Sequence, residues 1–328
     1  HSTHLPRLIK EHYKVDRLDF ETSVRGHIAL DNNPYIDNLI LMNHEETDRS
    51  HLIAKWRFVE DEYDLVFNLI HSIELEYCCN ETDQKYFRNT EYRRKNCGET
   101  NFYDAMTKAA GLPESYYGTR GELYYDDEQH AHAKAWVERT KKEHDADWII
   151  LIGLSGSSMH KRFDKAESIC RKILDKYPKS LIVLTGDELC KVDVFEHPRV
   201  LSKVGVWNLR TAALRIKYFD LYIGPETGLT CVSNLWDIPS IQLLTAANWT
   251  NHIKGAKNAY WVQSDAPCSP CHKNAYTYYG CTMRNGLPLC ADSFDEDKIM
   301  AKVEEAYVSY TKTTQVSPLV LADVPVML

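Results

Sequence analysis

The sequence contains no apolar run approaching the roughly 18 residues that a membrane-spanning helix needs. No transmembrane segment is therefore expected, while a peripheral contact with a membrane stays open. Excess positive charge is also missing. Thirty-nine basic residues against 47 acidic ones give a net charge of −8, which argues against a general nucleic-acid surface. Neither common glycine-rich phosphate signature is present: there is no GxxxxGKS/T and no GxGxxG. Short-period repeats and low-complexity tracts are absent too, so a solenoid or a disordered array is excluded. No signal-peptide pattern opens the chain, which begins at His1 and leaves room for residues ahead of it.

What is present is the composition of a soluble globular protein, 44% hydrophobic and 26% charged over 328 residues, enough for two domains of ordinary size. Of ten cysteines, Cys78, Cys79, Cys97, Cys170, Cys190 and Cys231 are scattered, while Cys268, Cys271, Cys281 and Cys290 are clustered. Scattered cysteines in apolar or helical contexts point to a reducing, cytoplasmic setting with one local metal or disulfide site.

The first half alternates helical and strand patterns. A helix is expected up to Tyr13, a strand at Leu18 to Glu21, a helix up to Leu30, and a strand at Leu39 to Leu41. A helix over 47–60 and a buried strand from Tyr63 to Leu69 are expected to follow. This is the pattern of an α/β domain with a parallel sheet, lacking a first strand because it starts on a helix. Loops and short helices fill Cys78 to Asp127, with a helix from Asn101 to Ala110 stopped at Gly111, and a charged helix spans Ala131 to His144. The expected division is 1–145, 146–294 and a C-terminal helix and tail over 295–328. The second unit reads as a doubly wound domain, with strands at Trp148–Ile152, Leu181–Leu184, Leu221–Ile223 and Ile238–Ile241. A helix is expected from Lys161 to Tyr177, and Ser293 is the expected N-cap of the last helix.

Three strand ends of the second unit carry candidate ligands. Ser157, Ser158 and Lys161 follow the first; hydroxyls, helix-start N–H groups and a lysine suit a diphosphate. A serine-capped helix with a solvated lysine is the plain alternative. Asp187 and Glu188 follow the second and could accept from ribose hydroxyls, or simply cap a helix. Glu226, Thr227, Gly228 and Leu229 follow the third, where glycine allows close backbone approach and glutamate can accept from a sugar hydroxyl. A tight turn without a ligand is the alternative there.

Pro225-Glu226-Thr227-Gly228-Leu229, followed by a helix and Ile238-Pro239-Ser240-Ile241, resembles the donor-site signature of the heptosyltransferases, glycosyltransferase family nine. The Ser157-Ser158 turn with Lys161 is similar to that family's phosphate-binding turn. Asn33 to Asp37, Tyr63 to Val66 and Ala110 to Pro113 resemble its acceptor-domain landmarks. Glu226 stands where the family usually has aspartate, and Cys231 where it has histidine. The resemblance implies a GT-B fold, two Rossmann-like domains facing across a cleft. It further implies inverting transfer, without a metal in the chemical step, from a nucleoside-diphosphate sugar such as an ADP-heptose to a glycan or protein acceptor. The family's usual base, an aspartate after the first strand, would lie before His1. Asp37 and Asp104 read as turn or capping residues, so no catalytic residue is assigned. A non-catalytic nucleotide- or sugar-binding protein and a nucleotide-sugar epimerase are the rival readings on the same fold.

The spacing Cys268-x2-Cys271-x9-Cys281-x8-Cys290 suits a structural tetrahedral zinc or iron site. Two disulfides, or reduced cysteines in a loop, are the alternatives. Relatives that glycosylate autotransporter proteins resemble this arrangement and carry iron in such a finger.

Overall fold

The strand Trp148–Gly153 (β3), with the sequence WIILIG, is buried along its whole length, and the larger half of the molecule is built around it. The computed structural model describes residues 1–42, 55, 58–69, 90–156, 158–273 and 281–316. Successive side chains of a strand face opposite ways. Trp148, Ile150 and Ile152 therefore join one apolar cluster, while Ile149 and Leu151 join another. Ser180–Thr185 (β4) divides in the same manner, with Ile182 and Leu184 on the first face and Leu181 and Val183 on the second. Burial on both faces is what a parallel sheet between two helical layers requires.

That sheet has six parallel strands in the order β5-β4-β3-β6-β7-β8, where β5 is Val200–Ser202, β6 Leu221–Pro225, β7 Ser240–Leu244 and β8 Ala259–Gln263. Its first face is covered by the helices Ala166–Lys176, through Ile169 and Ile173, and Glu296–Val316, through Ile299 and Val303. The second face is covered by Val137 of the helix Asp127–Glu143, by Ala213 of the helix Leu209–Arg215 and by Val232 of the helix Gly228–Leu235. Truncating a central residue such as Ile150 to alanine in such a core costs about 2–5 kcal/mol.

The other half is smaller. Asp19–Thr22 (β1) and Asn38–Leu41 (β2) pair in parallel across the helix Val24–Leu30 (α2), and they form the two-stranded sheet of this half. The helix Leu5–Tyr13 (α1) packs Leu5, Leu8 and Ile9 against Met106, Ala110 and Leu112. The helices Thr90–Cys97 (α3) and Phe102–Ala109 (α4) complete it, the second capped by the Asn101 side chain and ended near Gly111, whose φ is 66°. Together the two parallel sheets make a two-domain α/β arrangement, with a short antiparallel pair, Met283–Arg284 and Leu287–Pro288, beside the cysteine loop. Side chains join the halves: Asn251 donates to the carbonyls of Cys97 (2.9 Å) and Thr100 (2.7 Å), and Asn248 to that of Gly98 (2.9 Å). Arg120 reaches the Asn234 carbonyl at 3.0 Å and pairs with Asp237.

Several local expectations are revised. Tyr63 to Leu69 is not a strand; Tyr63 and Leu65 are exposed, while Phe67 and Leu69 lie against the α1 cluster. The apolar character of this stretch is satisfied by packing on a helix instead of by pairing in a sheet. Most of the helix expected over 47–60 lies outside the described residues, as do Cys78 and Cys79. Lys161 ends a short 3-10 turn, Met159–Lys161, and the α-helix starts only at Ala166. The intervening chain crosses the core, with Phe163 buried and its N–H donating to the Leu154 carbonyl at 2.8 Å. The last helix is capped by Asp295, whose Oδ1 accepts from the N–H groups of Asp297 (2.9 Å) and Lys298 (3.3 Å), and not by Ser293.

Candidate functional site

The chain runs from β3 outward to β4 and β5, then returns to start β6 on the other side of β3. This reversal leaves a crevice at the carboxyl ends of β3 and β6, where open α/β sheets collect ligands. Two of the sequence-derived candidates, Lys161 and Thr227, come together beside Gly156. An added Cβ at Gly156 would meet Thr227 Cγ2 at 2.7 Å and Lys161 Cβ and Cδ at 3.0 Å, so the turns after β3 and β6 touch there. Glycine at 156 is what permits the approach. Thr227 is the N-cap of the helix Gly228–Leu235 and makes no side-chain capping bond to its first turn. Leu229 also packs on the core.

Ser158 is buried and its hydroxyl lies 2.6 Å from His160 Nδ1; Ser157 falls outside the described residues. Glu188, at the end of β4, is exposed and pairs with Lys191 at 2.5 Å, a strand away from the Gly156–Thr227 contact. Glu226 is buried and its oxygens are occupied. Oε1 accepts from Thr245 Oγ1 (2.9 Å) and the Ala246 N–H (3.0 Å), and Oε2 from the N–H groups of Thr245 and Ala247, both at 3.2 Å. The carboxylate thus holds the loop after β7. Burial alone would raise its pKa, but Lys161, His252 and His160, with the Thr245 bond, hold it below the usual carboxylate value.

His160 was not singled out from the sequence. It sits 3.9 Å from Glu226, yet burial pushes its pKa down to about 4, outweighing the carboxylate, so at neutral pH the contact joins a neutral imidazole to a charged carboxylate. The signal was its place between Ser158 and Lys161.

The expectation of a structural metal at the four clustered cysteines is overturned. Cys268, Cys271, Cys281 and Cys290 line one small cavity with His160. However, among the described residues the group that gathers three or more metal-ligating atoms within 4.8 Å of one another is His1, Cys231 and His252. A tetrahedral four-thiolate site would need sulfurs about 3.8 Å apart, given metal–sulfur bonds near 2.3 Å. Burial, with Cys271 and Cys268 beside it, pushes the Cys290 thiol up to about 12. The eight described cysteines are in no disulfide, which overturns the two-disulfide alternative as well.

The substitute group lies one helical turn beyond Gly228. Cys231 Sγ is 3.1 Å from His1 Nε2, which is 3.3 Å from His252 Nδ1. Burial would raise the Cys231 thiol, but His1 and His252 hold it well below its ordinary value. Positions 230 and 251 residues apart gave no spacing signal in the sequence.

The two-domain α/β arrangement is a GT-B fold. The structure is similar to that of a glycosyl transferase family 9 protein from Veillonella parvula (TM-score 0.61, 13% identity, covering 94% of this chain and 93% of that one). It is also similar to ADP-heptose LPS heptosyltransferase II of E. coli (TM-score 0.56, 12% identity, covering 94% of each chain). At these identities the likeness establishes fold alone. No protein-family profile matches the sequence, and no curated protein matches it. Among the described residues no helix is long and apolar enough to cross a membrane.

Proposed function

We propose that this chain is a glycosyltransferase that takes its sugar from a nucleoside-diphosphate donor seated in the crevice between β3 and β6. The observation that carries the reading is the contact of Gly156, Lys161 and Thr227 at the switch point of a GT-B fold. Lys161 supplies a cation to the diphosphate, and Ser158, Thr227 and the N–H groups of Gly228 and Leu229 supply donors. Glu188 is proposed for the ribose side, and Glu226 acts by fixing the loop 245–247 after β7. Transfer is inverting: an acceptor hydroxyl attacks the anomeric carbon as the diphosphate leaves, its charge stabilised by Lys161 and the helix start. The proposed units are 1–145 for a glycan or protein acceptor, 146–294 for the donor, and 295–328 as helix and tail. ADP-heptose is the first donor to try, and a reducing cytoplasmic setting is consistent with the thiol state of the described cysteines.

A second reading, a nucleotide- or sugar-binding protein without transfer, draws on the carboxylates of the acceptor side. Asp37 accepts from the Leu18 N–H at 2.7 Å and pairs with Lys10 at 2.6 Å, and Asp104 accepts from the Gly118 N–H at 2.8 Å. Both are occupied by the fold. Thermal-shift and calorimetric titration with ADP, GDP, UDP and their sugars tests the donor site. Binding by one of them, weakened about 10- to 100-fold in Lys161→Ala, is expected from loss of a charge-assisted contact of about 1.5–3 kcal/mol. Failure of every nucleotide to bind refutes the site. Binding without transfer or donor hydrolysis selects the second reading.

A further inference from the structure

We propose that His1, Cys231 and His252 form a site for a divalent transition metal of the zinc class that clamps the two halves of the molecule together. The geometry is that of a ligand set. An ion with bonds of about 2.0 Å to nitrogen and 2.3 Å to sulfur spaces tetrahedral ligand atoms about 3.3–3.6 Å apart. Here the measured separations are 3.1 Å for Cys231 Sγ to His1 Nε2 and 3.3 Å for His1 Nε2 to His252 Nδ1. One thiolate and two imidazoles suit zinc and its neighbours in the first transition row, whereas magnesium and calcium call for oxygen.

Aromatic rings surround the three ligands, which leave the fourth tetrahedral position to water or another donor. The His1 ring meets the edges of Phe102 (5.3 Å, 80°) and Tyr103 (5.1 Å, 71°), and Phe102 meets His252 at 4.9 Å and 85°. These edge-to-face contacts orient both imidazoles.

The three ligands come from separate parts of the fold. His1 precedes α1 in the smaller half, Cys231 lies on the helix Gly228–Leu235 that begins at the crevice, and His252 ends the helix Trp249–His252 after β7. An ion shared among them joins the halves at the edge of the crevice. The inference does not depend on what the crevice binds.

The test uses the full chain purified without a polyhistidine tag, stripped with a chelator and titrated with cobalt(II). The expected result is one cobalt per chain, a thiolate-to-cobalt charge-transfer band in the near ultraviolet, displacement by zinc, and a higher Tm with zinc bound. Cys231→Ser loses the band, Cys231→His keeps one cobalt per chain without it, and His252→Ala weakens binding at least tenfold. Absence of the band in the parent chain overturns the proposal. So does a band that survives Cys231→Ser and disappears in Cys268→Ser, since the metal would then lie on other thiols. Should Cys231→Ser fail to fold, His252→Ala decides, and unchanged affinity there overturns the site.

Discussion

Replacing Glu226 by glutamine tests whether a buried carboxylate organises the crevice. Glutamine keeps one acceptor oxygen, enough for Thr245 Oγ1 and the Ala246 N–H, but sets an NH2 group against the N–H groups of Thr245 and Ala247 that now bond Oε2. The Thr245 N–H then loses its acceptor and the Ala247 N–H keeps only its longer bond to Oε1 (3.4 Å), at about 1–3 kcal/mol each. Relief from burying a charge offsets part of this. A net loss of about 3 kcal/mol follows, which at 2–4 °C per kcal/mol for a unit of this size lowers Tm by about 6–12 °C. Calorimetry measures the shift, and hydrogen exchange at Thr245 to Ala247 locates it. The pH dependence has a definite sign. Because the folded pKa of Glu226 lies below its ordinary 4.5, its contribution is present above that value and is lost as pH falls through the folded pKa. The gap between parent and E226Q is therefore constant from pH 6 to 8 and narrows below about pH 4.5. A Tm change under about 2 °C with unchanged exchange in the loop would refute the argument.

Three further predictions concern neighbouring features. His160 falls from 6.5 to about 4 on folding, so between those values the unfolded chain binds more protons and stability drops as pH falls; His160→Asn removes about 3 kcal/mol of that loss, measured by urea melts from pH 7 to pH 4. His4, also lowered to about 4, retains its own share of the slope in that variant. Gly156→Ala drives a methyl into Thr227 and Lys161, costing about 1–3 kcal/mol and weakening nucleotide binding about tenfold in the titrations above; unchanged binding would show that the turns need not touch. Asp295→Ala lowers stability by about 1 kcal/mol and Ser293→Ala leaves it unchanged in denaturant melts, the reverse being expected if Ser293 were the cap.

The fold was legible wherever a strand is buried on both faces. WIILIG, SLIVLT and LYIGP are short apolar runs that need no partner to be recognised, and all three lie at the centre of the large sheet. Its edges were not. Val200–Ser202 is three residues long and half-exposed, and Ala259–Gln263 carries an exposed Trp261, so neither has the continuous apolar run that marks a central strand. Tyr63 to Leu69 failed in the opposite direction, because an apolar stretch packed on a helix has the same composition as one paired in a sheet.

The crevice divides in the same way. The turns after β3 and β6 could be found because glycine, hydroxyl and lysine cluster within each turn, and strand order then brings the turns together. What Glu226 does with its charge was not readable, since its partners are the backbone of a loop 19 to 21 residues further on. The cysteines make the same point for ligand sets. Close spacing in 268–290 suggested a site that the thiol positions do not form, while His1 meets Cys231 and His252 from 230 and 251 residues away. Local spacing constrains a site only when one loop supplies every ligand. Where two halves of a molecule meet, the contact between them selects the ligands, and Cys231, conspicuous in the sequence only as a departure from the family's histidine, is placed to receive two histidines from outside its helix.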